Sequence, residues 1–167
     1  ASFDHVDPLL GGDEALKRLT ADAHAQGIRV IGDITLNHCG RRHPWFEKAQ
    51  DPRAPEREYF RFDPELQYGY ECWFNVPTLP KFDHTSERLR DTLVRDEQSP
   101  VRTWLRGDGG LDGWRVDVAN MAGRMGSVDV THAFAQDVRT AMAVEQRSPN
   151  RVLSCWMRAS GTSRWAT

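Results

Sequence analysis

The sequence predicts an α/β chain built on a parallel sheet and interrupted by one irregular insertion. Three observations carry that prediction. Short β-branched runs, mostly apolar on both faces, alternate with stretches of helical period in the order helix, strand, insertion, helix, strand, helix, strand. The stretch from Cys39 to about Thr85 has no period and is punctuated by Pro44, Pro52, Pro55, Pro64, Pro77 and Pro80 among many Trp, Phe and Tyr. Two of the strand-like runs end in polar and ionisable groups, at Asp33 to His38 and at Gly113 to Asp117. In parallel α/β proteins, strand ends of that kind are where the chemistry sits.

The elements follow in order. Gly12-Asp13-Glu14, with Leu16, Leu19 and Ala23 at helical spacing, predicts a capped amphipathic helix with acidic groups in its first turn. Gly27 stops it. Ile28 to Ile34 reads as a strand covered on both sides. Beyond the insertion, Ser86 predicts an N-cap with Leu89, Leu93 and Val94 behind it, and the pattern breaks at Ser99-Pro100. Pro100 suits the first turn of a second short helix carrying Val101, Trp104 and Leu105, with Ser99 as its cap. Gly107-Asp108-Gly109-Gly110 turns the chain into a strand from Leu111 to Val118. Val130, Phe134, Val138 and Met142 recur every fourth residue and predict a helix from about Val130 to Gln146. Ser148-Pro149-Asn150 ends it, and Arg151-Val152-Leu153 begins a last strand-like run.

With 167 residues and a formal net charge of −2, the chain has no polyanion-binding character, which excludes nucleic acid as a partner. No apolar run is long enough to cross a bilayer, so no membrane partner is expected. Cys39, Cys72 and Cys155 are widely spaced, odd in number and without a CxxC pair, as suits a reducing cytoplasm. The start at Ala1 lacks an initiator Met and suggests a fragment, with a processed upstream signal peptide equally compatible. Nothing in the composition specifies an oligomer.

Strand side chains alternate faces, so Arg115 and Asp117 project to one side and Trp114 and Val116 to the other. The guanidinium favours an ionised carboxylate, which a nucleophile attacking an electron-poor carbon requires. An isolated Arg-x-Asp is more often a packing ion pair. The other strand end shifts the balance: Asp33 can hold an arginine on a neighbouring strand, Asn37 can bind a hydroxyl, a carbonyl or a cation, and His38 can donate to a substrate hydroxyl. Charges are rarely placed at two such ends without a partner or a ligand.

Asp33-Ile34-Thr35-Leu36-Asn37-His38 resembles the first conserved segment of the α-amylase superfamily of retaining glycoside hydrolases, at the end of the third barrel strand. Gly113 to Asp117 resembles the second, at the fourth. Leu79-Pro80-Lys81-Phe82-Asp83 is similar to the Met-Pro-Lys-Leu-Asn segment of neopullulanases and cyclomaltodextrinases, with Leu, Phe and Asp in place of Met, Leu and Asn. The resemblance covers about Phe3 to Ala143 and implies a partial (β/α)8 TIM barrel, about strands 3 to 5, with an irregular insertion domain after strand 3. Residues 1–38 would supply helix 2 and strand 3, and residues 39–85 the insertion. Residues 86–153 would supply helix 3, strand 4, helix 4 and the start of strand 5, leaving 154–167 as a tail.

By that resemblance Asp117 is the nucleophile, Arg115 orients it, and Asp33, Asn37 and His38 belong to the substrate subsite or its support. Trp45, Tyr68, Tyr70, Trp73 and Phe74 have faces that can stack on sugar rings, although most insertion aromatics are expected to form its own core. Trp73 and Phe74 are the stacking candidates. Asn37 ligates calcium in many α-amylases, but calcium needs six to eight oxygens, and only Asn37 and nearby acids such as Asp33 offer them here. No cofactor is expected to be required.

The resemblance implies a fragment of a retaining α-glycosidase acting on α-glucans or maltooligosaccharides, hydrolysing or transferring α-1,4 and α-1,6 glucosidic bonds. Such chemistry needs a second carboxyl roughly 5 to 5.5 Å from the nucleophile, first as acid and then as base. No Asp or Glu follows Glu145, and Cys155-Trp156-Met157-Arg158 stands where that Glu is expected. The run to Thr167 shows neither helical nor strand period, so a frameshifted or misassembled end is expected, and an isolated chain that is inactive and poorly soluble. The alternative is an amylase-like scaffold or binding protein without catalysis, which would have no need of Asn37, His38, Arg115 and Asp117. A metal-dependent barrel hydrolase built on His38 and Asp117 lacks the HxH or HxxxH pair it would require.

Overall fold

The computed structural model describes residues 2–145 and the backbone of residues 154–157. Along the chain run helix α1 (Gly12–Ala25), strand β1 (Ile31–Thr35), and the insertion with its short helix α2 (Pro44–Lys48). Then come α3 (Glu87–Arg90), α4 (Pro100–Thr103), β2 (Gly113–Asp117), a small hairpin of β3 (Arg124–Met125) and β4 (Val128–Asp129), α5 (Thr131–Glu145) and β5 (Ser154–Met157). Strands β1, β2 and β5 form one parallel sheet in that order, with Asp33 opposite Arg115 and Thr35 opposite Asp117.

Strand alternation sorts the first two strands into two faces. Gly32, Ile34, Trp114 and Val116 share the face that meets the helices, where Ile34, Trp114 and Val116 are buried with Leu89, Leu93, Val94, Val101, Leu105, Phe134, Val138 and Met142. The Trp114 indole fills the space over Gly32 and donates its Nε1–H to the Val101 carbonyl at 2.9 Å. Asp33, Thr35, Arg115 and Asp117 take the opposite face. The helix layer is fastened by carboxylates on α5: Asp137 accepts from Arg90 and Arg95, and Glu145 from Arg102 and Arg106. The Arg106 hydrogen bond, with help from Arg102, holds the Glu145 carboxyl down at about 2.

The predicted ends hold at several places. Gly27 stops α1 with φ +74, its N–H donating to the His24 carbonyl at 2.9 Å while the Ile28 N–H reaches Ala23. The Ser86 side chain accepts from the Leu89 N–H and caps α3. Other expectations are corrected. Ser99 occupies the N-cap position of α4, but its hydroxyl donates to the Val94 carbonyl instead. The run from Ser86 is α-helical only to Arg90 and continues as a wider π turn over Asp91–Arg95.

The first strand is Ile31–Thr35 rather than a run from Ile28, and it is not covered on both sides: Ile31 is exposed on the face shared with Asp33 and Thr35, opposite the helices, and Ile28 is exposed before the strand begins. In α1 the apolar stripe is only partly used. Leu16 packs on the core and Thr20 is buried, whereas Leu19 stays exposed. What seats α1 is a polar clamp, in which buried Asp112 accepts from the Val30 N–H at 2.8 Å and lies 2.6 Å from His24 Nε2. At the far end, the strand-like run expected at Arg151-Val152-Leu153 lies outside the described residues. The described strand is Ser154–Met157, which carries a parallel ladder to β2 in a segment whose side-chain sequence shows no alternation.

The insertion packs on itself. Isolated antiparallel bridges join His38 to Lys81, Phe60 to Phe82, Phe62 to Tyr70 and Cys72 to Pro80, and the space between is filled by Phe46, Tyr59, Phe60 and Phe82. Cys39 and Cys72 are both buried free thiols, and burial pushes Cys39 up to about 12, out of the reactive range. No helix among the described residues is long and apolar enough to cross a membrane.

Two outcomes follow from this packing. A methyl added at Gly32 would meet the Trp114 ring at 2.5 Å and Leu111 at 2.6 Å, so Gly32→Ala is expected to cost about 1–3 kcal/mol in a urea titration. His84 is buried, hydrogen-bonded through Nε2 to the Leu36 carbonyl and packed on Phe134, and burial lowers it to about 4. Because the unfolded chain then takes up the proton first, His84 removes stability as pH falls from about 6.5 towards 4, roughly 1–2 kcal/mol of it by pH 5. His43, likewise lowered to about 4 by burial, adds to the loss. Urea midpoints at pH 7 and 5 are expected to converge partly in His84→Gln, which keeps an N–H for Leu36.

Candidate active site

The polar face of the sheet gathers three charges. Arg115 stands between two carboxylates, donating from Nη1 to Asp33 on the neighbouring strand and from Nη2 to Asp117 on its own strand at 2.8 Å. Register explains the first contact and the two-residue strand period the second. All three side chains are part exposed, with 38% of Asp117 reaching solvent. The Asp33 hydrogen bond raises Arg115 further above its ordinary range, so the central cation is permanent. Immediately beyond Asp117 the backbone enters the left-handed region at Val118, φ +52, a conformation that a β-branched residue adopts only under constraint. The strand thus stops abruptly at the carboxylate.

A second cluster forms where the insertion leaves and rejoins the sheet. Residues 37–39 lie antiparallel to residues 80–82: the Phe82 N–H donates to the Asn37 carbonyl at 3.0 Å and the Cys39 N–H to the Pro80 carbonyl at 3.1 Å. That pairing delivers Lys81. Its ammonium donates to the Asn37 side-chain oxygen and, at 2.9 Å, to the Met121 carbonyl in the loop after β2, with the Trp73 ring centroid 5.3 Å away. Lys81 is only 4% exposed and Asn37 is fully buried. Burial lowers Lys81 to about 8 against the opposing pull of Glu71, leaving it charged at neutral pH.

Asn37 Nδ2 lies 3.1 Å from His38 Nδ1, and the His38 ring lies parallel to Trp73 at a centroid distance of 5.9 Å. Burial, then the Lys81 charge, lowers the His38 pKa, while the Asp117 charge pulls the other way.

The predicted residues accordingly fall into two linked groups, with Asp33, Arg115 and Asp117 in one bridge and Asn37 and His38 in the other. Trp73 is part of the second group. Phe74 is 78% exposed, held at φ +49 with its ring 4.1 Å from that of Trp73. Trp45 and Tyr70 belong instead to the insertion core: Trp45 packs on Tyr59 and Phe82, and Tyr70 packs on Phe46 and donates to the Pro77 carbonyl at 2.6 Å. Tyr68 lies at the surface beside Gln67. Among the described residues, no three His, Cys, Asp or Glu side chains are grouped to hold a metal ion.

Lys81 stands within the Leu79-Pro80-Lys81-Phe82-Asp83 motif, and nothing else in its local sequence marks it as a site residue. The one available signal was the motif itself.

Residues 1–154 match the family model described as alpha amylase, catalytic domain. The chain belongs to the alpha-amylase family. It is 29% identical over 149 residues to a cyclomaltodextrinase of Geobacillus thermopakistaniensis, covering 85% of this chain and 23% of that protein. It is 29% identical over 171 residues to neopullulanase 2 of Thermoactinomyces vulgaris, covering 96% of this chain and 26% of that protein. Among solved structures, the native form of the Nostoc punctiforme debranching enzyme superposes with a TM-score of 0.78 at 27% identity, covering 97% of this chain and 32% of the other. The chain thus spans about a quarter of the length of the curated relatives it matches. The alpha-amylase fold is the (β/α)8 barrel, of which this chain carries a part with an open three-stranded sheet.

Proposed function

We propose that this chain carries the nucleophile side of the active site of a retaining α-glucan glycosidase, with β1 and β2 as the third and fourth barrel strands and residues 39–85 as the insertion domain. The observation that supports it is the Asp33–Arg115–Asp117 bridge at the ends of two adjacent parallel strands, with His38 within the field of Asp117. An ionised Asp117 attacks the anomeric carbon of an α-linked glucose from the β face, forming a β-glycosyl ester as the leaving oxygen takes a proton from a general acid other than the residues of this cluster. Arg115 orients the attacking carboxylate by its Nη2–H, and Asp33 fixes Arg115. His38 donates to a sugar hydroxyl, and Phe74 with Trp73 offers an aromatic face to a neighbouring glucose.

Calcium is assigned no place at Asn37. Its side-chain oxygen and the Met121 carbonyl both face the Lys81 ammonium, and a second cation there would meet direct repulsion. Nor can Glu145, the last acidic residue of the sequence, supply the leaving-group proton. It is held on the helix layer by two arginines at a pKa of about 2, whereas a general acid needs its pKa raised. Turnover of an unactivated glycoside by these residues alone is therefore not expected.

A substrate that needs no acid isolates the nucleophile. Incubating the chain with a 5-fluoro-α-glucosyl fluoride, whose fluoride leaves unassisted, is expected to add one 5-fluoroglucosyl group to the peptide containing Asp117, as read by mass spectrometry. Asp117→Asn is expected to show none. An adduct on another residue, or no adduct in the folded wild-type chain, would reject the assignment.

A further inference from the structure

The hydrogen-bonding sense of His38 is settled at a distance, by Lys81. An ammonium only donates, so the Asn37 side-chain atom facing Lys81 Nζ must be the oxygen. The Asn37 amide cannot then be flipped, because a flip would set an NH2 group against three N–H donors inside a site where Asn37 has no solvent exposure. Its Nδ2 is left to face His38 Nδ1 at 3.1 Å. A donor at that place requires a bare Nδ1, and the remaining proton of a neutral imidazole then sits on Nε2.

We propose that Lys81 is a positioning residue that selects the Nε2–H tautomer of His38 by fixing the orientation of the Asn37 amide. The ring plane is set separately, by the parallel Trp73 indole, so two independent contacts define the donor: one its direction, the other its proton. Burial and the Lys81 charge disfavour the imidazolium while the Asp117 charge favours it, and the Asn37 donor facing Nδ1 leaves Nε2 as the place for the ring proton. That the Nε2–H meets a sugar hydroxyl rests on the function proposed above; the tautomer itself does not.

The test reads the ring nitrogens directly. In the 167-residue chain labelled with 15N, long-range 1H–15N correlation spectra at neutral pH distinguish bare from protonated imidazole nitrogens, and His38→Gln identifies the His38 signals. The wild-type chain is expected to show His38 with bare Nδ1 and protonated Nε2. Asn37→Asp keeps an oxygen for Lys81 but presents only acceptors to His38, so Nδ1 is expected to gain a proton. Lys81→Met, which removes the donor that locks the amide, is expected to give a mixture of both forms, and Lys81→Arg to restore the wild-type pattern. A folded Lys81→Met that keeps the wild-type pattern would overturn the role of Lys81, and should that variant fail to fold, Lys81→Leu takes its place. A protonated Nδ1 in the wild type, or a bare Nδ1 in folded Asn37→Asp, would overturn the proposal. Because no glycoside is present, these results stand apart from the labelling of Asp117.

Discussion

One buried ammonium joins the parts of this molecule that chemistry needs together. Lys81 comes from the returning end of the insertion, Asn37 from the exit of β1 and Met121 from the loop beyond β2, and a single nitrogen holds the last two. Without a cation at that point, the buried Asn37 oxygen would lose its donor, and the Met121 carbonyl would keep only the Arg124 N–H. Desolvation works against the charge and the Glu71 carboxylate works for it, and the lysine at about 8 keeps its proton at neutral pH, with two acceptors and an aromatic face around it. The Asp33–Arg115–Asp117 bridge is the exposed counterpart of this arrangement. There, too, one cation spans two strands, but solvent shares the charges and leaves the carboxylates available to a substrate.

Much of this was legible in the residues, and the reasons are local. The pairing of Arg115 with Asp117 needs only the two-residue period of a strand, and the Asp33 contact needs only that β1 and β2 be parallel neighbours. Gly27 and Ser86 act as end signals because their geometry depends on adjacent backbone alone. Ser99 misled for the same kind of reason: its hydroxyl had a second acceptor, Val94, supplied by the π turn before it, and no propensity rule foresees that turn.

What the sequence hid was long-range. Lys81 lies 44 residues from Asn37 and 40 from Met121, so its role exists only once the insertion folds back on its own stem. The division of the insertion aromatics is similar. Trp45 and Trp73 look alike in a chain of scattered rings, and only the fold sends one into a core and the other against His38. Leu19 was expected inside on helical period alone, but period marks a face without saying that anything covers it.

The antiparallel contact between residues 37–39 and 80–82 has a further consequence for how such a protein can change. Because the insertion enters and leaves through adjoining, hydrogen-bonded segments, its two ends are pinned a strand's width apart whatever lies between them. Lengthening or replacing the intervening loops costs closure entropy that grows only slowly with length, and the sheet registers none of it. The loops between those ends can therefore vary in length and sequence as an interchangeable cassette, provided that a ring like that of Trp73 still meets His38.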